Sequence, residues 1–170
     1  MSLYYNNNFD KYVRDDISFE VDGVKYPSDW FQKVSSEDIE NAGFQLVVAT
    51  NERADDRFYW VSETLDKATL TYVNTPKELQ PLKKTWLEQV NTVAYSRLFP
   101  SDWMVVKSME TGEPMAADWK QYRANVRTKA NESRAAVEAA TTVDELASAV
   151  GSIQWPHDPN YVSPIEEPVA

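Results

Sequence analysis

Cysteine is absent from this sequence, and histidine, glycine and long apolar runs are scarce. Without cysteine the chain can form neither a disulfide nor a thiolate metal site. The single histidine, His157, lies among prolines near the C-terminal end, which is a poor setting for the rigid geometry of a catalytic triad. The four glycines form no phosphate-binding motif. We therefore expect no catalytic histidine, no metal and no other cofactor.

Hydrophobicity and charge narrow the expected partners. No stretch approaches the roughly 18 apolar residues of a transmembrane helix, so we expect no membrane insertion. The first residues lack a basic segment followed by an apolar one, so we expect no secretory signal. Asp and Glu number 27 against 17 Lys and Arg, which gives a net charge of -10. Because such a surface repels phosphate backbones and anionic lipids, we do not expect a nucleic acid or an anionic membrane as the main partner.

Basic residues nevertheless gather in one predicted helix, at Lys120, Arg123, Arg127, Lys129 and Arg134. Two interpretations stay open: the helix binds an acidic or nucleic-acid partner, or it presents an ordinary solvated face. Arg123 and Arg127 share a face with Trp119, where a guanidinium can stack on the indole or bind a partner's carboxylate.

Residues 1–75 predict a β-rich lobe. The run "ISFEVDGVKYP" alternates apolar and polar residues around Asp22-Gly23, which is typical of a tight hairpin. A short helix is predicted over "SSEDIENAGF", with a serine as its cap and Gly43 closing it. "FQLVVAT" then predicts a buried strand, and "DRFYWVS" and "ATLTYVN" predict a second hairpin across "ETLDK". We expect one small antiparallel sheet with one short helix against it.

Residues 76–153 predict a helical lobe. Apolar residues recur at helical spacing, so a long helix is expected from about Pro81 to Leu98. The stretch "PSDWMVVKSMETGEP" is predicted to interrupt the helices, because two prolines and a glycine punctuate it. A second long helix is expected over about 116–140, and a third begins at Thr142, which can cap it. Strands first and helices second indicate an α+β fold, with a small antiparallel β-rich N-terminal lobe and an α-helical C-terminal lobe.

Residues 154–170 predict a Pro-rich C-terminal tail that begins with an aromatic residue. Trp155 stands directly before Pro156, and proline prevents the preceding helix from continuing. In one interpretation the indole anchors a partner, with Pro156 limiting the entropy lost on docking. In the other, it folds back on the helical lobe and covers its core.

Several aromatic-centred stretches of the chain resemble a known protein family. "DWKQYRANVR", followed after a helix by "IQWPHDP", is similar to the C-terminal pattern of tail-fibre assembly proteins of tailed bacteriophages. The stretches "VDGVKYPSDWFQKVSSEDIENAGF", "DDRFYWVS" and "RLFPSDWMVVKSMETGEPMAADWKQYRANVR" resemble a group of small phage tail or tail-fibre accessory proteins. Together these stretches span most of residues 19–159. The positions that match the assembly-protein pattern are Trp119, Tyr122, Arg123, Ile153, Trp155, Pro156 and Pro159.

The resemblance implies assembly or structural work on a tail fibre without enzymatic turnover. It implies a tail-fibre protein, a trimer, as the partner, with a baseplate protein as a second candidate. The expected location is the cytoplasm of the bacterial host during phage assembly, and the virion tail if the protein stays there. The residues expected to form the partner contact, or the frame that holds it, are Trp119, Tyr122, Arg123, Arg127, Trp155 and Pro156.

Two other functions stay open at this level. The protein can remain in the virion as a permanent component of the fibre or baseplate, which differs from chaperone action in outcome and not in local chemistry. It can also be a small enzyme that acts on host-surface glycan, which requires two carboxylates about 5 to 9 Å apart in one pocket. No sequence feature indicates such a pocket.

Overall fold

The structure, a computed structural model, describes residues 2–161 and divides the chain between Pro76 and Lys77 into two compact units. Strands occupy the first unit and helices dominate the second, so the chain has the predicted α+β fold. Residues 162–170, which fall within the predicted Pro-rich tail, lie outside the described residues.

The first unit contains three small sheets with the strand orders β2–β1–β5, β3–β4 and β6–β8–β7. Every pairing is antiparallel except that of β6 with β8, which is parallel. The prediction of a single antiparallel sheet with one short helix is therefore wrong. The elements are β1 (Leu3–Asn6), β2 (Lys11–Arg14), β3 (Phe19–Val21), β4 (Val24–Tyr26), α1 (Trp30–Lys33), α2 (Ser36–Asn41), β5 (Phe44–Leu46), β6 (Val48–Ala49), β7 (Tyr59–Asp66) and β8 (Thr69–Pro76).

Local turn chemistry determines both predicted hairpins. Asp22 and Gly23 have φ values of 52° and 74° and join β3 to β4, which confirms the first hairpin. The second hairpin joins β7 to β8, but its strands extend to the pair Asp66–Thr69. The turn is therefore tighter than the predicted "ETLDK" connection, and most of that segment belongs to β7.

The predicted helix of the first unit is present as α2. Ser35 is its cap, with a side chain that accepts a hydrogen bond from the Asp38 amide, and Gly43 follows with φ 82°.

The prediction of one buried strand over "FQLVVAT" is wrong. That segment forms the short strands β5 and β6 in different sheets, and Phe44 alone is buried while Leu46 and Val48 are exposed.

Aromatic rings form the core of the first unit. Phe44 is completely buried, and the rings of Phe19, Tyr26, Trp30 and Phe31 surround it with centroid distances of 5.4 to 5.9 Å. Three of these pairs are edge-to-face and the Trp30–Phe44 pair is tilted, and aromatic pairs contribute about 0.5–1.5 kcal/mol each beyond the area that they bury. Because these rings come from β3, β4, α1 and β5, the cluster holds several very short elements together.

The second unit consists of four helices and a 3₁₀ turn in the described residues: α3 (Leu79–Leu98), the turn Phe99–Ser101, α4 (Asp102–Thr111), α5 (Ala117–Ala139) and α6 (Val143–Gly151). The predicted long helices correspond to α3 and α5, and Pro81 lies in the first turn of α3, where the missing amide costs nothing. Nowhere in residues 2–161 is a helix both long enough and apolar enough to cross a bilayer.

The predicted interruption between the two long helices is wrong, because α4 lies within it. Pro100 occupies the start of the 3₁₀ turn, where proline is tolerated, and Gly112 ends α4 in the left-handed region with φ 74°. The residues that looked like breaks therefore mark the two ends of a helix.

Small and aromatic side chains form the core of the second unit. Val90 and Ala94 of α3 pack against Tyr122, Val126 and Ala130 of α5. The small residues let the two helices approach closely.

The last helix of the second unit is capped as predicted. The Thr142 side chain accepts from the Glu145 amide. The Glu145 carboxylate accepts from the amide and hydroxyl of Thr141, which lowers the pKa of Glu145.

Asn6 allows a direct test of the packing in the first unit. Its side chain is 1% exposed, donates to the Ala42 carbonyl at 3.1 Å and accepts from the amides of Asn8 and Phe9. We expect Asn6→Ala to lower the free energy of unfolding by about 2–4 kcal/mol, because it removes all three hydrogen bonds of this buried side chain, at about 1 kcal/mol each. Urea denaturation followed by tryptophan fluorescence measures the change.

The neighbouring exposed residue Asn7 provides the matched control for this test. Asn7→Ala should change the unfolding free energy by less than about 0.5 kcal/mol. Equal effects of the two substitutions would contradict the structural role given to the Asn6 amide.

Candidate partner-binding surface

The six residues predicted to contact a partner differ widely in exposure. Tyr122 and Arg123 are buried, with 6% and 5% of their surface exposed. Trp119, Trp155 and Pro156 are half-buried, and Arg127 is exposed. The set therefore does not form one continuous surface, and each part has a different environment.

The Trp155 side chain folds back on the helical unit. It packs against the α3–α5 core together with Ile153, and the Arg97 guanidinium lies 5.6 Å from the centre of its ring. Arg97 also donates to the Pro156 carbonyl at 3.0 Å. These contacts correspond to the fold-back interpretation of the C-terminal aromatic residue. Trp155 and Pro156 are only half-buried, and both line a depression beside Lys129 and Glu132.

Arg123 forms a network inside the second unit. One guanidinium nitrogen donates to the Leu98 carbonyl at 2.8 Å and to the Ser101 hydroxyl at 2.6 Å, and the other donates to the Asp102 carboxylate at 2.7 Å. A buried guanidinium requires such partners, because an unpaired buried charge is very costly. All three partners lie at the junction of α3 and α4, around the 3₁₀ turn Phe99–Ser101, which we call the bend. Arg123 therefore connects α5 to the bend. The free chain therefore uses the Arg123 guanidinium for these internal hydrogen bonds. It does not use it to stack on Trp119 or to bind a partner's carboxylate.

The helix that follows this bend exposes apolar side chains. None of the residues of α4 is buried, although tryptophan, methionine and valine are among them. Trp103, Val106 and Met109 are exposed, and so are Tyr95 and Phe99 in the preceding turns. The exposed fractions of these five side chains lie between 53% and 81%.

We call Tyr95, Phe99, Trp103, Val106 and Met109 the α4 surface. Its members are spaced by three or four residues, so each lies about one helical turn from the next, with the bend at Ser101 between Phe99 and Trp103. The rings of Tyr95 and Phe99 are 5.6 Å apart. Single exposed apolar residues are ordinary, but a large grouped set rimmed by polar residues marks an interaction site.

The sequence analysis missed this surface because it treated residues 100–114 as irregular. The helical spacing of Phe99, Trp103 and Val106 is the sequence signal that could have indicated it.

A groove between α4 and α5 adjoins the α4 surface. It consists of two depressions of about 360 and 310 Å³ that share Ser108, Pro114 and Met115. Trp119 lines one of them, and Arg123 and Arg127 line the other. We call these two depressions the α4–α5 groove. The structure thus brings three of the predicted residues to this groove and places Trp155 and Pro156 at a different depression, while Tyr122 belongs to the core.

Arg123 gives a test of how the bend before α4 is held. We expect Arg123→Met to lower the free energy of unfolding by about 1–3 kcal/mol, because it removes three hydrogen bonds, one of them to the buried Ser101 hydroxyl. Arg127→Met removes the same charge from an exposed position on the same helix and should cost less than about 0.5 kcal/mol. Urea denaturation of the full chain measures both. If the two variants were equally stable, Arg123 would not hold the bend.

Neither a metal site nor a known relative indicates the function of this surface. In the described part of the chain, no group of three or more His, Asp and Glu side chains could hold a metal ion. No family model, curated protein or solved structure matches this chain. The functional interpretation of the α4 surface therefore depends on geometry, exposure and charge.

Proposed function

We propose that this chain is a non-catalytic assembly chaperone or accessory protein of a bacteriophage tail fibre, and that it binds the fibre protein through its helical unit. The observation that carries the proposal is the exposed apolar α4 surface. The resemblance of "DWKQYRANVR" and "IQWPHDP" to tail-fibre assembly proteins supplies the class of partner. A protein that binds another chain needs such a surface and needs no active site.

The composition of the α4 surface favours binding to another polypeptide. Trp, Tyr, Phe and Met are enriched at protein–protein interfaces, and Trp and Tyr are frequent hot spots. Burying a large side chain of this kind contributes about 1.5–3 kcal/mol. Because a few such residues carry most of the binding energy of an interface, two or three of them can dominate the affinity.

The residues predicted from sequence fall into two roles in this proposal. Trp119 and Arg127 lie at the α4–α5 groove, where they can touch the partner directly. Tyr122 and Arg123 form the frame, because Tyr122 belongs to the core and Arg123 holds the bend that precedes α4. Trp155 and Pro156 are proposed as a secondary contact at their own depression.

The net charge of -10 fits a protein that must carry exposed aromatic rings without self-association.

The proposed place of action is the cytoplasm of the bacterial host during phage assembly. The alternative fate is retention in the tail, at the fibre or the baseplate. Mass spectrometry of purified phage particles separates the two: stoichiometric presence indicates a permanent component, and absence indicates a chaperone that leaves.

Co-expression with the fibre protein encoded beside this chain tests the proposal. The wild-type chain should raise the yield of soluble fibre trimer and co-purify with it. The double variant Trp103→Ala, Met109→Ala should lose most of this effect, because it removes the largest and the most exposed side chain of the α4 surface. At about 1.5–3 kcal/mol for each side chain, binding should weaken by at least a hundredfold. Affinity purification followed by quantitative gel analysis measures the retained fibre.

The control is Trp60→Ala, which removes an exposed tryptophan from the first unit. Binding should survive this change. The proposal is wrong if the wild-type chain leaves fibre yield unchanged, and its location on α4 is wrong if Trp60→Ala abolishes binding while the double variant retains it.

A further inference from the structure

The α4–α5 groove carries positive charge in a strongly acidic chain. Its larger depression is lined by Val105, Met109 and Met115 and by the cations Lys120, Arg123 and Arg127, with no acidic residue among the described residues that line it. The smaller depression adds one pair of opposite charges, Lys107 and Glu113, at 3.7 Å. Acidic residues outnumber basic ones 27 to 17 in the chain, so this local excess of positive charge is opposite in sign to the net charge. The Arg123 charge is neutralised by Asp102 at 2.7 Å, which leaves two cations at the rim.

The two remaining cations differ from the other cations of α5 in their contacts. Within residues 2–161, neither the Lys120 nor the Arg127 side chain makes a hydrogen bond or an ion pair. Other cations of α5 have internal partners: Lys129 lies 3.7 Å from Glu132, and Arg134 donates to Asn91 and Asn131. In the part of the chain that the structure describes, Lys120 and Arg127 are therefore available to bind a partner's anions beside an apolar groove.

Helix geometry fixes the spacing of the two charges. Lys120 and Arg127 are seven residues apart on α5, which is close to two turns, so they lie on the same side of the helix about 10 Å apart. Two carboxylates that are also two helical turns apart can meet both cations at once. An arginine fork adds directional hydrogen bonds to the charge attraction.

Methionines make the apolar part of the groove adaptable. Met104, Met109 and Met115 all line it, and these are the methionines among residues 2–161. Methionine side chains are flexible and polarisable, and they are common at surfaces that bind segments of variable sequence. The groove therefore selects a partner by its charge pattern and accommodates the shapes of its apolar side chains.

We infer that the α4–α5 groove binds an amphipathic segment of the partner polypeptide that carries carboxylates beside its apolar side chains, with Lys120 and Arg127 as the residues that select for acidity. That the segment belongs to a tail-fibre protein rests on the proposed function. The acidity of the segment follows from the groove itself, so the two statements can fail separately.

The test uses two synthetic amphipathic helical peptides of equal length. Both carry a leucine stripe; one has two glutamates seven residues apart along its edge, and the other has glutamines there. Binding to the full chain is followed by NMR of ¹³C-labelled methionine methyl groups, so that Met109 and Met115 report occupation of the groove. The glutamate peptide should shift these signals and bind about tenfold more tightly than the glutamine peptide, with the difference shrinking at high salt.

Matched variants identify the cations responsible. The double variant Lys120→Gln, Arg127→Gln should remove the preference, so that it binds the glutamate and glutamine peptides with equal affinity. The double variant Lys25→Gln, Lys84→Gln changes the net charge by the same amount at exposed positions outside this groove and should keep the preference. A loss of preference in both double variants would show general charge attraction and would contradict the inference.

Other outcomes also decide the question. Equal affinity for the two peptides, or shifts that leave Met109 and Met115 unchanged, overturns the inference. If the free chain is a dimer that Trp103→Ala dissociates, the groove's occupant is a second copy and the inference is wrong. If the glutamate peptide binds as expected but the fibre protein does not bind, the inference stands and the proposed function fails. If the fibre protein binds the Lys120→Gln, Arg127→Gln variant at full strength, the proposed function stands and the inference fails.

Discussion

The buried Arg123 guanidinium is the interaction on which the functional surface depends. From α5 it reaches the last carbonyl of α3, the Ser101 hydroxyl and the Asp102 carboxylate, so one side chain satisfies both sides of a bend. A buried cation is stable only with such partners, and their geometry leaves little freedom in the direction of α4. α4 itself has no buried residue that could hold it in the core. Its position therefore depends on a polar network, and its apolar side chains stay exposed.

The two units use aromatic residues in opposite ways. In the first unit the rings surround Phe44 and provide a core for strands that are too short to be stable alone. In the second unit the core comes from small and aliphatic residues of α3 and α5, while Phe99 and Trp103 are exposed. Large rings that are not needed for folding are available for binding, and a strongly acidic chain can carry them while staying monodisperse.

Sequence reasoning succeeded where the cause is local. The Asp22-Gly23 turn and the Thr142 cap depend on neighbouring residues, and both were predicted. It failed where the cause is distant. Whether "FQLVVAT" forms one strand or two depends on which strands pair with it, and the role of Arg123 depends on partners more than 20 residues away. Pro100 was misread because proline ends a helix in one position and begins one in another. The missed helix was also the one that carries the candidate site.

Hydroxyl-radical footprinting of the chain, alone and in complex with the co-expressed fibre protein, tests the central claim most directly. The oxidation rate of a side chain reports its contact with water, and Trp103 and Met109 are both reactive and exposed. The account predicts that binding slows the oxidation of these two residues severalfold and leaves Trp60 unchanged. Equal oxidation of Trp103 and Met109 in the free and bound chain would show that the α4 surface is not where the partner binds.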